Sequence, residues 1–181
     1  MIFTSEQVSC GHPDKICDQI SDAIVTACLS HDRNSRVAAE CMIKDYEVII
    51  AGEITSSYEP DYKALVTKVL SRIGLSDPEA YRVTVYISKQ SQDIALGVDG
   101  NSGAGDQGMM FGYATDETPE MLPIPYAVAT QALELLRELK SPLLLPDAKA
   151  QVSYDYDTGR ITTFLISTQH REDTSVMDIR P

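Results

Sequence analysis

Gly11-His12-Pro13-Asp14-Lys15 stands directly ahead of a run in which Ile16, Ile20, Ala23, Ile24, Ala27 and Cys28 recur at helical spacing. Pro13 falls at the first helical position, where its missing N–H is no loss. A helix start presents unpaired N–H groups and a partial positive charge, which suit a phosphate. His12 can donate to a phosphate oxygen there, and Asp14 can hold a divalent cation that the same phosphates share. The plainer reading stays open: proline and aspartate are ordinary choices for a first turn and need no ligand.

Two acids inside strand-like segments add to this. Glu40 lies in the alternating segment "RVAAECMI", on the face opposite Val37, Ala39, Cys41 and Ile43, where it either meets solvent or serves a ligand. Glu53 follows "VIIAG", in what reads as a buried strand. A carboxylate there needs a cation, an amino group or hydrogen-bond donors. Between residues 89 and 108 runs "KQSQDIALGVDGNSGAGDQG", with Gln90, Asp93, Asp99 and Asp106 among five glycines. A stretch of that composition is a flexible linker or a functional loop whose glycines permit close approach to a ligand or movement of a lid. "PDAK" supplies Asp147 and Lys149 before a strand, although a lone lysine is ordinarily a solvated charge. His170, after a strand, reads as structural, and Cys17 and Cys28 as core. The chain has no G-x-S-x-G, Walker A or H-E-x-x-H sequence. Its G-x-G-x-x-G, Gly103 to Gly108, precedes a strand-like segment and not a helix, so it lacks the context of a dinucleotide fold.

The elements that must position these residues follow from periodicity and punctuation. A helix is predicted over 13–30, strands over 36–43 and 46–55, and a helix opened by Pro60 and stopped by Gly74. Strands are predicted over 82–88 and 109–115, a helix over about 126–140, and a hairpin over 150–168 turning at Asp157-Thr158-Gly159. This order predicts an α+β fold of mostly antiparallel sheet covered by helices. A soft boundary is placed near 108–115, and no internal repeat stands out.

The chain has 181 residues, 43% of them hydrophobic, which suffices for a core in one large domain or two small ones. Its net charge of −12 argues against general nucleic-acid binding. An acidic chain that binds phosphates must concentrate cations locally. No segment approaches the ~20 apolar residues of a membrane span. "MIFTSEQVSC" lacks the basic and apolar regions of a secretory signal. The four cysteines form no C-x-x-C pair and read as reduced thiols in a cytoplasmic protein.

Taken together, "TSEQVSCGHPDKICDQISDAIVTA", "RVAAE", "AGEIT", "KQSQDIALGVD", "GAGDQGMMFGYATDET", "PDAKAQVSYDY" and "STQH", in this order, closely resemble methionine adenosyltransferase, the S-adenosylmethionine synthetase family. The resemblance implies a pseudo-threefold α+β fold. The chain would carry its first unit, 1–108, with a lid over about 90–101, and the first part of the central domain, 109–181. It implies attack of the methionine sulfur on the ribose C5′ of ATP, with the triphosphate leaving and then hydrolysed to pyrophosphate and phosphate. His12 would contact the phosphates and, with Lys149, act in catalysis. Asp14 would bind magnesium and Glu40 potassium. Glu53 and Gln90 would bind methionine. Asp106, Asp147 and Lys149 would contact ATP. The family forms a tight dimer, in some cases a tetramer, with sites shared between subunits.

This chemistry agrees with the residues present. A thioether carries no proton, so no general base is required. The leaving group is highly charged, and a unit-charge pair at 4 Å is worth ~4 kcal/mol at an effective dielectric near 20. Three departures from the pattern stand out. Cys10 replaces a usual Glu, Gln92 replaces a usual Pro, and the lid is a few residues short between Val98 and Gly103. Members of the family are also roughly twice this long, so a second polypeptide or further chain would be expected to complete the phosphate and metal site. The alternative expectation is a non-catalytic or regulatory subunit that pairs with a full-length relative.

Overall fold

The computed structural model describes residues 1–91, 93 and 107–179. Described elements fall into two compact units, one formed by 1–15, 72–76 and 113–181, the other by 16–71 and 77–112.

In the second unit, α1 (Pro13–His31) begins at the predicted proline and buries Ile16, Ile20, Ile24 and Cys28, the stripe that a 3.6-residue period places on one side. β2 (Arg36–Lys44) and β3 (Glu47–Thr55) form an antiparallel hairpin, with Lys44 paired to Glu47 across a two-residue turn. Asp45 takes φ 51 in that turn, a left-handed conformation that Asp tolerates better than most residues. α2 (Tyr62–Ile73) ends at Gly74, φ 94, and the chain returns as β4 (Arg82–Ser88), parallel to β3. The sheet order is β2-β3-β4. Its residues divide by parity. Ala39, Val48, Ile50 and Ile54 are buried on one face, and Ser21 of α1 donates to Cys41 Sγ on that face at 3.3 Å. The pairing Ala38–Glu53 and Glu40–Ala51 puts both acids on the other face.

The first unit is built on a sheet of order β1-β5-β6. β1 (Ile2–Val8) was not marked by the sequence pattern: "IFTSEQV" has no period of two, and its partner β5 (Leu144–Asp155) is distant in the chain. β5 and β6 (Arg160–His170) form the expected hairpin, with Gly159 at φ 66 in its turn. β5 starts before the predicted strand because Pro146 is absorbed in an irregularity, a register shift between Leu144 and Ala148. α3 (Ile124–Glu138) covers this sheet, and Ala129 and Leu133 pack with Ala148, Ala150 and Val152.

The strand predicted over 109–115 does not form. These residues are irregular, with Met110 89% and Phe111 87% exposed. β-propensity reflects a strand's fit to cross-strand neighbours, and this segment has none among the described residues. Among the described residues no helix is long and apolar enough to cross a membrane.

Candidate functional site

In the first unit, the start of α1 is joined to β5. His12 occupies the cap position, where its Nδ1 accepts the Asp14 backbone N–H at 3.2 Å. Asp14 Oδ2 lies 3.7 Å from the same nitrogen. Nδ1 cannot accept from one and donate to the other, and the shorter, backbone contact decides the tautomer. The ring proton then sits on Nε2, which is left to serve as a donor. His12 thus caps the helix through one nitrogen and keeps the other as a donor. Its side chain is 15% exposed, and that of Asp14 is 84% exposed.

Upstream of His12 the backbone is tied down. Ser9 N donates to Ala148 O at 2.9 Å, and His12 N donates to Ser9 O at 3.1 Å. Ser9 Oγ donates to Pro146 O at 2.6 Å and accepts from Ala148 N at 2.7 Å. Gly11 has no room for a side chain, since an added Cβ would come within 2.5 Å of Pro146 C and 2.6 Å of Pro146 O. Asp147 lies between these fixed peptide groups. Lys149 follows on β5, exposed, paired with Val8 and Ser167, and on the face away from Ala148 and Ala150, which α3 covers. His12, Asp147 and Lys149 are thus carried by two segments bonded to each other. A histidine N–H, an ammonium and a helix start suit a polyphosphate.

The second unit carries the other predicted residues. Glu40 is exposed, Glu53 half-buried, and the two are diagonal neighbours on one face. Glu53 pairs with Ser88 at the end of β4, two residues before Gln90. Arg36, on the same face one step along from Glu53, donates from Nε to Gln90 Oε1 at 2.7 Å. That bond uses the amide oxygen of Gln90, so its NH2 group is the end left to face an acceptor such as a carboxylate. Gly52, beside Glu53, has φ +145, and a Cβ there would collide with Ala38 O. The carboxylate is therefore set on backbone that only glycine supports well.

Sequence reasoning missed Ser9, Arg36 and Glu117. Nothing local marks Ser9, whose side-chain partners lie beyond residue 145. Arg36 reads as a strand-start cation. Glu117 follows the glycine-rich stretch and accepts from Tyr156 O–H at 2.6 Å, Thr115 Oγ1 at 3.1 Å and Ile124 N at 3.2 Å. The Tyr156 bond is the main cause that holds the Glu117 carboxyl below its ordinary range. Burial, then Glu117, pushes the Tyr156 phenol up to about 12. Asp106 and most of the predicted lid, 92 and 94–101, lie outside the described residues.

No group of three or more His, Cys, Asp or Glu that could hold a metal exists among the described residues. Asp14 and Glu40 are each a single open carboxylate. Either fits as one oxygen ligand of a cation whose remaining ligands are phosphates, water or groups from elsewhere.

Comparison with known proteins matches residues 1–92 to the family model "S-adenosylmethionine synthetase, N-terminal domain" and residues 101–181 to "S-adenosylmethionine synthetase, central domain". The S-adenosylmethionine synthase of Prochlorococcus marinus (strain MIT 9515) is 46% identical over 196 aligned positions, covering 95% of this chain and 48% of that protein. The synthase of Prochlorococcus marinus subsp. pastoris is 47% identical over 193 positions, covering 93% and 47%. A solved structure, of an unusual S-adenosylmethionine synthetase from Campylobacter jejuni, superposes with a TM-score of 0.86 at 34% identity, covering 98% of this chain and 50% of that one. The chain spans about half the length of the curated relatives it matches.

Proposed function

Because the chain belongs to the S-adenosylmethionine synthetase family, we propose that it takes part in making S-adenosylmethionine from ATP and methionine and carries about half of the residues that do so. The methionine sulfur attacks the ribose C5′, the C5′–O bond breaks, and its electron pair leaves on the triphosphate. A sulfonium forms with no proton transfer, and water then cleaves the triphosphate to pyrophosphate and phosphate. The barrier lies in charge developing on the leaving oxygen, so fixed donors count for more than a base.

The observation that carries this reading is the joining of His12 to the Asp147–Lys149 strand through Ser9. Lys149 and the His12 Nε2–H would hold the polyphosphate, with Asp147 and Asp106 on the ATP. Glu53 would receive the methionine ammonium, and the free amide hydrogens of Gln90 its carboxylate. Asp14 would hold magnesium and Glu40 potassium; the cations, when bound, offset phosphate charge. The remaining phosphate ligands would come from a second subunit or further polypeptide in an oligomer of the family's kind, in the cytoplasm.

The test is incubation of the protein, isolated in its native assembly, with ATP, methionine, magnesium and potassium. S-adenosylmethionine should form, and Lys149→Ala should lower the rate at least tenfold, the effect of losing one charge-assisted hydrogen bond. Native mass spectrometry of the same sample identifies any further polypeptide. Absence of product from an intact assembly overturns the proposal and favours a non-catalytic subunit.

A further inference from the structure

Ser9 lies two residues ahead of the "GHPDK" motif, and its hydroxyl carries out two tasks at once. It donates to Pro146 O at 2.6 Å and accepts from Ala148 N at 2.7 Å, while its own N–H reaches Ala148 O at 2.9 Å. These three partners flank Asp147 on both sides. They lie where the regular pairing of β1 with β5 ends, just past Val8–Lys149. Where a ladder ends, the next backbone groups lose their strand partners, and Ala148 is only 4% exposed. The serine side chain therefore stands in for a missing stretch of ladder. Its carbonyl accepts the N–H of His12 at 3.1 Å, so the same residue also fixes the cap of α1. Gly11 completes the join by letting the backbone rest on Pro146 without a Cβ between them.

We propose that Ser9 is a positioning residue: by tying the end of β1 to Pro146 and Ala148 it sets Asp147 and Lys149 relative to His12, and so determines affinity on the phosphate side of the site without touching a substrate. This rests on the function proposed above. The plainer alternative, a serine that only supports the fold, predicts that Ser9→Ala weakens binding of both substrates alike or of neither.

The experiment compares Ser9→Ala and Ser9→Thr with the parent protein in its native assembly. Ser9 borders a cavity of about 370 Å³, which leaves space for the threonine methyl. Amide hydrogen exchange comes first, because it needs no catalysis. Exchange at Ala148 should accelerate about tenfold in Ser9→Ala, with Val152 in the same strand unchanged, and Ser9→Thr should stay within threefold of the parent. The second readout is the KM of each substrate. The KM for magnesium-ATP should rise about tenfold in Ser9→Ala while that for methionine moves less than twofold, and threonine should restore it. Unchanged exchange at Ala148, uniform acceleration through β5, or equal shifts in both KM values would each overturn the positioning role. A parent assembly that binds no nucleotide would instead overturn the proposed function, and the role of Ser9 with it. Parent activity with a Ser9→Ala variant unchanged in both readouts would remove the Ser9 proposal alone.

Discussion

The contact of Gly11 with Pro146 gives the sharpest test of how the site is held. In Gly11→Ala, the new methyl would stand 2.5 Å from Pro146 C and 2.6 Å from Pro146 O, and also against the proline Cβ. Carbon atoms rest at about 3.5–4.0 Å, so the two segments must part by roughly 1 Å. No rotamer change relieves this, because the obstacle is backbone and a closed ring. Pro146 O is also held by Ser9 Oγ at 2.6 Å. Separation of that size lengthens this bond and the 2.7 Å bond from Ala148 N beyond hydrogen-bond range. Each bond contributes ~1 kcal/mol net, and leaving the buried Ala148 N–H without a partner costs ~1–3 kcal/mol. The expected loss is ~2–4 kcal/mol. For a chain of this size that corresponds to a fall in melting temperature of roughly 5–15 °C. Urea unfolding followed by circular dichroism and by tyrosine fluorescence measures it, with both probes needed because the chain has two compact units. Gly112→Ala is the control, since a Cβ there meets nothing within 4 Å. A loss below ~0.5 kcal/mol in Gly11→Ala, with Gly112→Ala also neutral, would refute the claim that the helix start and β5 form one rigid join.

Arg36→Ala should free the Gln90 amide to rotate. On the proposed function, it should raise the KM for methionine about tenfold while leaving that for magnesium-ATP within twofold, by steady-state kinetics on the native assembly; an unchanged methionine KM would remove Arg36 from the proposed site. Glu117 is held below its ordinary value of 4.5 chiefly by Tyr156, so it stabilises the fold above that pH and the contribution fades as pH falls through its lowered folded value. Tyr156→Phe should therefore flatten the acid limb of a urea-midpoint profile below pH 4.5. Tyr156 itself, raised from 10 to about 12, favours the folded state fully below pH 10 and less as pH climbs to 12, so a tyrosinate absorbance step near pH 12 should be absent from Tyr156→Phe.

Much of this protein was legible from local sequence. Pro13, Gly74 and Asp157-Thr158-Gly159 mark where elements begin, stop and turn, and each acts through constraints on its own backbone. The parity of "RVAAECMI" already placed Glu40 opposite the apolar side, and the order of motifs pointed to the family. The strand over 109–115 and the unmarked β1 show the limit. "MMFGYAT" has strand composition but no neighbour among the described residues, whereas "IFTSEQV" lacks the composition and is a strand because β5 lies beside it.

What the sequence determined by itself is the set of chemical groups and the local conformations that carry them: a histidine at a helix cap, acids in strands, a lysine on a strand. Only the tertiary structure decided how they are held. It places Arg36 on Gln90, fixes the His12 tautomer through the Asp14 N–H, and lets Ser9 bind Pro146 and Ala148 more than 130 residues away. The physical reason is that propensity and periodicity act over a few neighbouring residues. Hydrogen-bond partners across sheets are chosen by chain topology, and no local pattern records which distant backbone group would otherwise be left unpaired.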